Sequence, residues 1–169
     1  LVMGQAYRQQ YDFNAVYVLP ASVFGPGDNV DPKTSHVIPT LIRRVDNAIA
    51  EGAEELVCWG DVRPTRDFIY IDDVVRGLVV AAERLETHEP VNLGTGREVA
   101  ICQLVAQITE IMGYDGRVVW DTSKPNGQMR RCFDTRRATE LLGWTAGTAL
   151  SEGLVCTIDW YREEQSGRI

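Results

Sequence analysis

One pattern constrains this chain more than any other. Short apolar runs closed by Pro or Gly alternate with longer stretches carrying apolar residues every three or four positions. The first run, Ala15-Val16-Tyr17-Val18-Leu19, is nearly continuous and stops at Pro20. It fits a strand buried on both faces of a parallel sheet. Further strands are predicted over residues 55–59, 67–71, 90–93 and 117–120. A helix is predicted over residues 37–50, with Ser35 capping it. A second helix follows Asp72 as its N-cap, with Val75, Leu78, Val79, Ala82 and Leu85 on the buried face. Three more are expected: one carrying Leu104, Val105, Ile108, Ile111 and Met112 before Gly113, a short one over 134–142 before Gly143, and a last one over 149–164. Strands alternating with helices define an α/β fold.

Charge narrows the function classes. The net charge is −7, which argues against a general nucleic-acid binder because a phosphate backbone would be repelled. Of the 17 basic residues only Lys33 and Lys124 are lysines. Arginine suits fork-like recognition of phosphate, so a local anion site is compatible with the acidic total, as is a simple bias towards arginine codons. The four cysteines, Cys58, Cys102, Cys132 and Cys156, lack metal-site spacing and read as buried, reduced thiols of a cytoplasmic protein. No apolar run approaches membrane-spanning length, so no membrane partner is expected. Residues 1–11 read as the end of a helix lacking an N-cap, as if the chain began inside a domain.

Several residues are candidates for chemistry. His36, in Ser35-His36-Val37-Ile38-Pro39, stands at a helix entrance after a Gly/Pro/Asp/Asn loop. An imidazole titrates near ~6.5 and exchanges protons at neutral pH; it could equally cap the helix or pack on its first turn. Arg66 lies between two strands, where a guanidinium pairs with a phosphate or with Asp67 or Asp72. Trp59 offers a lining surface for a sugar or base, or is plain core. Lys124, in Ser123-Lys124-Pro125-Asn126-Gly127, is a lone cation that reaches an anion or is solvated. Gly94-x-Gly96 has Val99 in place of the third glycine of a dinucleotide fingerprint and reads as a tight turn. No Tyr-x-x-x-Lys, nucleophilic triad or metal set is present in the sequence.

Their order along the chain is specific. Leu19-Pro20-Ala21-Ser22-Val23-Phe24-Gly25-Pro26-Gly27-Asp28-Asn29, Ser35-His36-Val37-Ile38-Pro39, Val57-Cys58-Trp59-Gly60 with Arg66-Asp67-Phe68-Ile69-Tyr70-Ile71-Asp72-Asp73-Val74, Asn92-Leu93-Gly94-Thr95-Gly96, Ser123-Lys124-Pro125-Asn126-Gly127 and Leu142-Gly143-Trp144 together resemble the NAD(P)-dependent epimerase/dehydratase family of extended short-chain dehydrogenases. The likeness is closest to its GDP-L-fucose synthase branch. It implies the C-terminal part of a Rossmann-type fold with the small substrate-binding subdomain, residues 1–169 forming a single substrate-binding portion without the dinucleotide-binding part. It implies that His36 is the acid in epimerisation of a 4-keto sugar, and that Arg44, Trp59, Arg66 and Lys124 hold a GDP-sugar. It places Pro20, Ala21, Ser22 and Val23 at the nicotinamide end of NADP or NAD, a cofactor this portion alone does not bind stably. The family usually has Asn at Ser22 and Tyr at Phe24.

Two other readings stay open: a fragment of a UDP- or dTDP-sugar epimerase or dehydratase, and a non-catalytic binding or assembly module that pairs with an N-terminal half, a full-length subunit or a copy of itself. Loss of a flanking sheet would expose the edge of the 15–19 strand, and exposed edges associate. The chain is therefore expected to form a homo-oligomer. Sedimentation at tens of micromolar should show species larger than a monomer, and a sharp monomeric boundary would contradict this.

Overall fold

The computed structural model describes residues 1–167. Arg168 and Ile169 lie outside them. The residues gather into two compact units that interleave along the chain. The first comprises Leu1–Val23, Asp67–Arg97 and Cys132–Thr148, and the second Phe24–Arg66, Glu98–Arg131 and Ala149–Ile169.

In the first unit, helix α1 (Val2–Tyr11) precedes strand β1 (Val18–Pro20), which pairs in parallel with β6 (Val91–Leu93), Val18 opposite Val91 and Pro20 opposite Leu93. The strand begins later than its apolar run suggests and includes Pro20, which the absence of an N–H allows at the edge of a two-stranded ladder. It is not buried on both faces: Leu19 and Pro20 are exposed. Strand β2 (Ser22–Phe24) pairs with β5 (Phe68–Tyr70). Helix α3 (Ile71–Arg84) and helix α5 (Arg136–Leu142) complete the unit around a core of Ala21, Ile69, Val74, Ala81, Leu85, Val91, Leu93, Ala138, Leu142 and Trp144.

Helix α3 corrects two expectations. Its N-cap is Tyr70, in extended conformation, and Asp72 and Asp73 occupy the first turn, where the helix dipole favours anions. Asp73 is fully buried and accepts the N–H groups of Gly147 at 3.1 Å and Thr148 at 2.9 Å. The inward face is Val74, Gly77, Ala81 and Leu85, while Val75, Leu78 and Val79 are exposed. The reason is close approach. A Cβ on Gly77 would lie 2.8 Å from Leu93 Cδ1 and 3.1 Å from Trp144 Cε2, so only the small-residue stripe admits contact with β6. With α1's Val2, Met3, Tyr7 and Tyr11 also exposed, this unit carries considerable uncovered apolar surface.

In the second unit, β3 (Glu55–Trp59) pairs in parallel with β8 (Arg117–Asp121) over five residue pairs. A second, three-stranded ladder has β4 (Thr65–Arg66) between β7 (Val99–Ala100), antiparallel, and β9 (Arg130–Arg131), parallel. Helix α2 (Val37–Ala50) packs on α4 (Ile101–Met112), and α4 on α6 (Leu150–Ser166). They bury Ile38, Leu41, Ile42 and Val45, then Leu104, Val105, Ile108 and Met112, then Leu154, Ile158 and Tyr161. Ser35 does not cap α2; His36 is the N-cap residue, and the Ser35 hydroxyl meets that of Thr40 at 2.8 Å. Gly113 and Gly143 end α4 and α5 with φ of 75° and 63°, as their positions in the sequence require. Of the four cysteines only Cys58 is fully buried; Cys156 is exposed on α6.

Asp67, 1% exposed, locks the first unit. Its carboxylate accepts the Thr95 N–H at 3.0 Å, the Thr95 hydroxyl at 2.6 Å, the Gly96 N–H at 3.1 Å and the Phe133 N–H at 3.4 Å. The Gly94-x-Gly96 turn thus does cradle an anion, but one supplied by the chain itself. Replacing Asp67 by Ala strands these donors in the interior and should cost about 3 kcal/mol. Hydrogen exchange at the Thr95, Gly96 and Phe133 amides should accelerate sharply, and unchanged protection would contradict that role.

Candidate functional site

His36, Arg44, Trp59, Arg66 and Lys124, scattered over 89 positions of sequence, all belong to the second unit. A cavity of about 190 Å³ there is lined by Val37, Trp59, Asp61, Pro64, Arg66, Ile101 and Asn126. Trp59 ends β3 and projects from its outer face, since the strand alternates Leu56 and Cys58 inward with Val57 and Trp59 outward. Trp59 is 67% exposed, which rules out a core role.

Arg66 ends β4 and lines the same cavity. It is half-buried, and Nη1 donates to the Thr65 carbonyl at 2.7 Å. Among the described residues it forms no ion pair. Asp67, its expected alternative partner, is committed to Thr95, Gly96 and Phe133. A guanidinium held at a cavity wall by one backbone contact keeps most of its five donors available for an anion.

Lys124 follows β8 in a turn set by Asp121, whose carbonyl accepts the Lys124 N–H at 3.2 Å and whose carboxylate accepts the Ser123 N–H at 3.0 Å. The Ser123 bonds hold the Asp121 carboxyl below its usual range. This turn puts Lys124 Nζ 5.9 Å from the Trp59 ring centroid, a cation–π contact. The chain therefore gathers Trp59, Arg66 and Lys124 around one aromatic wall.

His36 adjoins Val37 at the cavity, and its side chain is 80% exposed, so it neither packs on the helix nor caps it by a side-chain bond. Its Nδ1 lies 3.8 Å from Asp28 Oδ1. Arg44 sits two turns further along α2 and donates to the Val57 carbonyl, so it braces β3 and is not part of the cavity lining. Beside it, burial pushes the Cys58 thiol pKa up, opposed in part by the Arg44 charge.

Pro20, Ala21, Ser22 and Val23 lie in the first unit, across the junction of β1 and β2. The Ala21 N–H donates to the Leu93 carbonyl at 2.8 Å and the Ser22 N–H to the Asp67 carbonyl at 3.0 Å. These two donors are committed, so the segment does not by itself form a donor set that would hold a nicotinamide. No group of three or more His, Cys, Asp or Glu suited to a metal ion occurs among the described residues. No helix among them is long and apolar enough to cross a membrane.

Sequence reasoning missed Asp61 as a site residue and saw Asn126 only as part of a turn. Asn126 Oδ1 accepts the Asp61 N–H at 2.7 Å, and its Nδ2 donates to Asp61 Oδ2 at 3.1 Å. Gly60, with φ of 83°, is required there: a Cβ would meet Asn126 Oδ1 at 2.5 Å. The signal available in the sequence was the Gly60-Asp61 turn itself. Arg63 donates from Nε to the Asp61 carboxylate at 2.8 Å, and this bond, with the Arg63 N–H, lowers the Asp61 pKa to about 2.

The sequence profile of the family described as "NAD dependent epimerase/dehydratase family" matches residues 2–94, more than half the chain. The chain is 42% identical to probable GDP-L-fucose synthase 1 of Oryza sativa subsp. japonica over 95% of its own length and 49% of that protein. It superposes on the crystal structure of a GDP-L-fucose synthetase from Naegleria fowleri bound to NADP with a TM-score of 0.89 at 26% identity, covering 98% of this chain and 53% of that one. It also superposes on UDP-glucose 4-epimerase from Thermotoga maritima with UDP-glucose, TM-score 0.84 at 30% identity, covering 97% and 51%. The chain spans about half the length of the curated relatives it matches.

The Asp61–Asn126–Arg63 clasp has a definite pH dependence. A carboxylate whose folded pKa is depressed contributes stability above its unfolded value, near ~3.9, and loses it as pH falls through the folded one. The clasp should stay closed to roughly pH 4 and open as pH falls through about 2. The side-chain amide signals of Asn126 should move across that window in the native chain and not in Asp61→Asn. A midpoint near pH 4 would contradict the assignment.

Proposed function

Because the chain belongs to the NAD dependent epimerase/dehydratase family, we propose that it is the nucleotide-sugar-binding portion of a GDP-L-fucose synthase-like enzyme, its substrate side formed by the cavity beside Trp59. The observation that carries this reading is Arg66: a half-buried guanidinium at a cavity wall, without an ion pair among the described residues, facing the same space as an exposed tryptophan. A diphosphate needs convergent cations, and Arg66 with Lys124 supplies them locally in a chain whose net charge is −7. Trp59 supplies a flat apolar face for a base or sugar.

The geometry supports a role for each residue in this reading. Arg66 neutralises and orients the diphosphate. Lys124, on a turn that can swing from the Trp59 ring, adds a second charge. His36 is exposed at the cavity's edge with an Asp28 carboxylate behind it, so its outer nitrogen is free to give a proton to, or take one from, a carbon next to a ketone. Arg44 supports this arrangement by holding β3. Pro20, Ala21, Ser22 and Val23 would wall the site of a nicotinamide, which when bound would supply hydride for reduction of that ketone. The exposed apolar residues of α1 and α3 meet another copy, or further polypeptide, when the enzyme is assembled.

A UDP-sugar is the second reading, favoured by the likeness to UDP-glucose 4-epimerase at 30% identity. Calorimetric titration separates the two. GDP should bind the chain more tightly than UDP, and Arg66→Gln should weaken GDP binding at least tenfold, about 1.5–3 kcal/mol, as expected for charge-assisted hydrogen bonds. Tighter binding of UDP would favour the second reading, and no heat from either at millimolar concentration would overturn both.

A further inference from the structure

We propose that Asp28 is the positioning residue of His36: its carboxylate takes the Nδ1 proton of the imidazole, so that the proton exchanged with a sugar carbon is carried on Nε2. This rests on the nucleotide-sugar reading and names the side chain that directs its acid.

The two residues are brought together by a loop that bonds to itself. Gly27, with φ of 84°, turns the chain before Asp28, whose N–H donates to the Gly25 carbonyl at 3.3 Å. Asn29 Nδ2 donates to the Thr34 hydroxyl at 2.8 Å, and the Asp31 N–H to Asn29 Oδ1 at 2.9 Å. The Ser35 N–H donates to the Asp31 carbonyl at 3.0 Å, which closes the loop. Arg43 Nη1 ties it to α2 through the Val30 carbonyl at 2.6 Å. Asp28 is thereby held beside the residue that opens α2.

The Asp28 carboxylate is unevenly occupied. Oδ1 accepts the Asn29 N–H at 2.7 Å, whereas Oδ2 is buried with no hydrogen-bond partner among the described residues. A buried carboxylate oxygen without a donor is unfavourable and calls for a partner. His36 supplies one. Its Nδ1 is 3.8 Å from Asp28 Oδ1, and its side chain is 80% exposed, so the ring is free to turn. A modest rotation brings Nδ1–H onto the carboxylate, and hydrogen bonds of this kind commonly tighten when a ligand binds.

A neutral imidazole has one N–H, and the partner of one nitrogen decides which of the two carries it. With Nδ1–H given to Asp28, Nε2 holds the lone pair and can take a proton. The imidazolium then passes that proton to an enolate carbon: the C–H bond forms, Nε2–H breaks, and the ring returns to its neutral Nδ1–H form. In the other tautomer the lone pair would face a carboxylate, and Nε2 could accept nothing.

The test is the tautomer of neutral His36, read from the ring nitrogen chemical shifts of the native chain. Free histidine favours Nε2–H. Native His36 should be mainly Nδ1–H, and both Asp28→Asn and Asp28→Ala should move the ratio towards Nε2–H at least about threefold, as for an exposed pair. His88, in the first unit, should keep its own ratio in both variants. Three results overturn the proposal and leave the nucleotide-sugar reading intact: native His36 favouring Nε2–H, variants with an unchanged ratio, or an equal movement of His88. Should a variant lose its fold, the native ratio decides alone. Failure of the native chain to bind GDP would instead sink the nucleotide-sugar reading, and with it this role for the pair.

Discussion

The first unit depends on one buried carboxylate. Asp67 is almost wholly removed from solvent, and an isolated charge in that position would be strongly unfavourable. It survives because three backbone N–H groups and a hydroxyl converge on it, while its own carbonyl accepts the Ser22 N–H. Four separate stretches of chain, at residues 22, 67, 95–96 and 133, are thereby fixed to one another. Gly94 is part of the same constraint, since a Cβ there would meet Asp67 Oδ2 at 2.6 Å. Strands of three residues cannot hold such an arrangement by ladder bonds alone; the carboxylate does.

Much of the α/β architecture was legible from periodicity. β3 runs over the residues its composition indicates, and α4 buries Leu104, Val105, Ile108 and Met112 of the stripe that its spacing marks. The failures share a physical cause. Helix α3 offers two stripes, and the more hydrophobic one faces outward because Gly77 and Ala81 permit a closer approach to Leu93 and Trp144 than Val75 or Val79 would. Hydrophobicity records the gain from leaving water and is silent about how near two backbones must come. The short strands β4, β7 and β9 were invisible for a different reason. Two residues carry no period, and such strands exist only through partners distant in the chain.

The candidate site was legible as residue types and order, not as contacts. Trp59 and Lys124 meet because β3 and β8 pair in parallel and deliver their ends side by side, and Arg66 of β4 lines the same cavity as Trp59. The Asp61–Asn126 clasp that ties those two ends together was hidden, because it joins residues 65 positions apart through side-chain bonds. Arg44 illustrates the converse. A likeness of sequence marks it for the ligand, and in the structure its guanidinium donates to the Val57 carbonyl and it does not line the cavity.

The lysine resting over Trp59 alters how that aromatic wall should be valued. A flat molecule landing there exchanges one partner of the ring for another instead of covering a bare surface. Stacking of a base on an aromatic is worth ~1–3 kcal/mol, and a cation on an exposed ring ~0.5–1 kcal/mol. The net gain is their difference, unless the displaced ammonium finds a phosphate. Stacking on this ring is thereby worth less than it would be on a bare one, whichever flat group lands there.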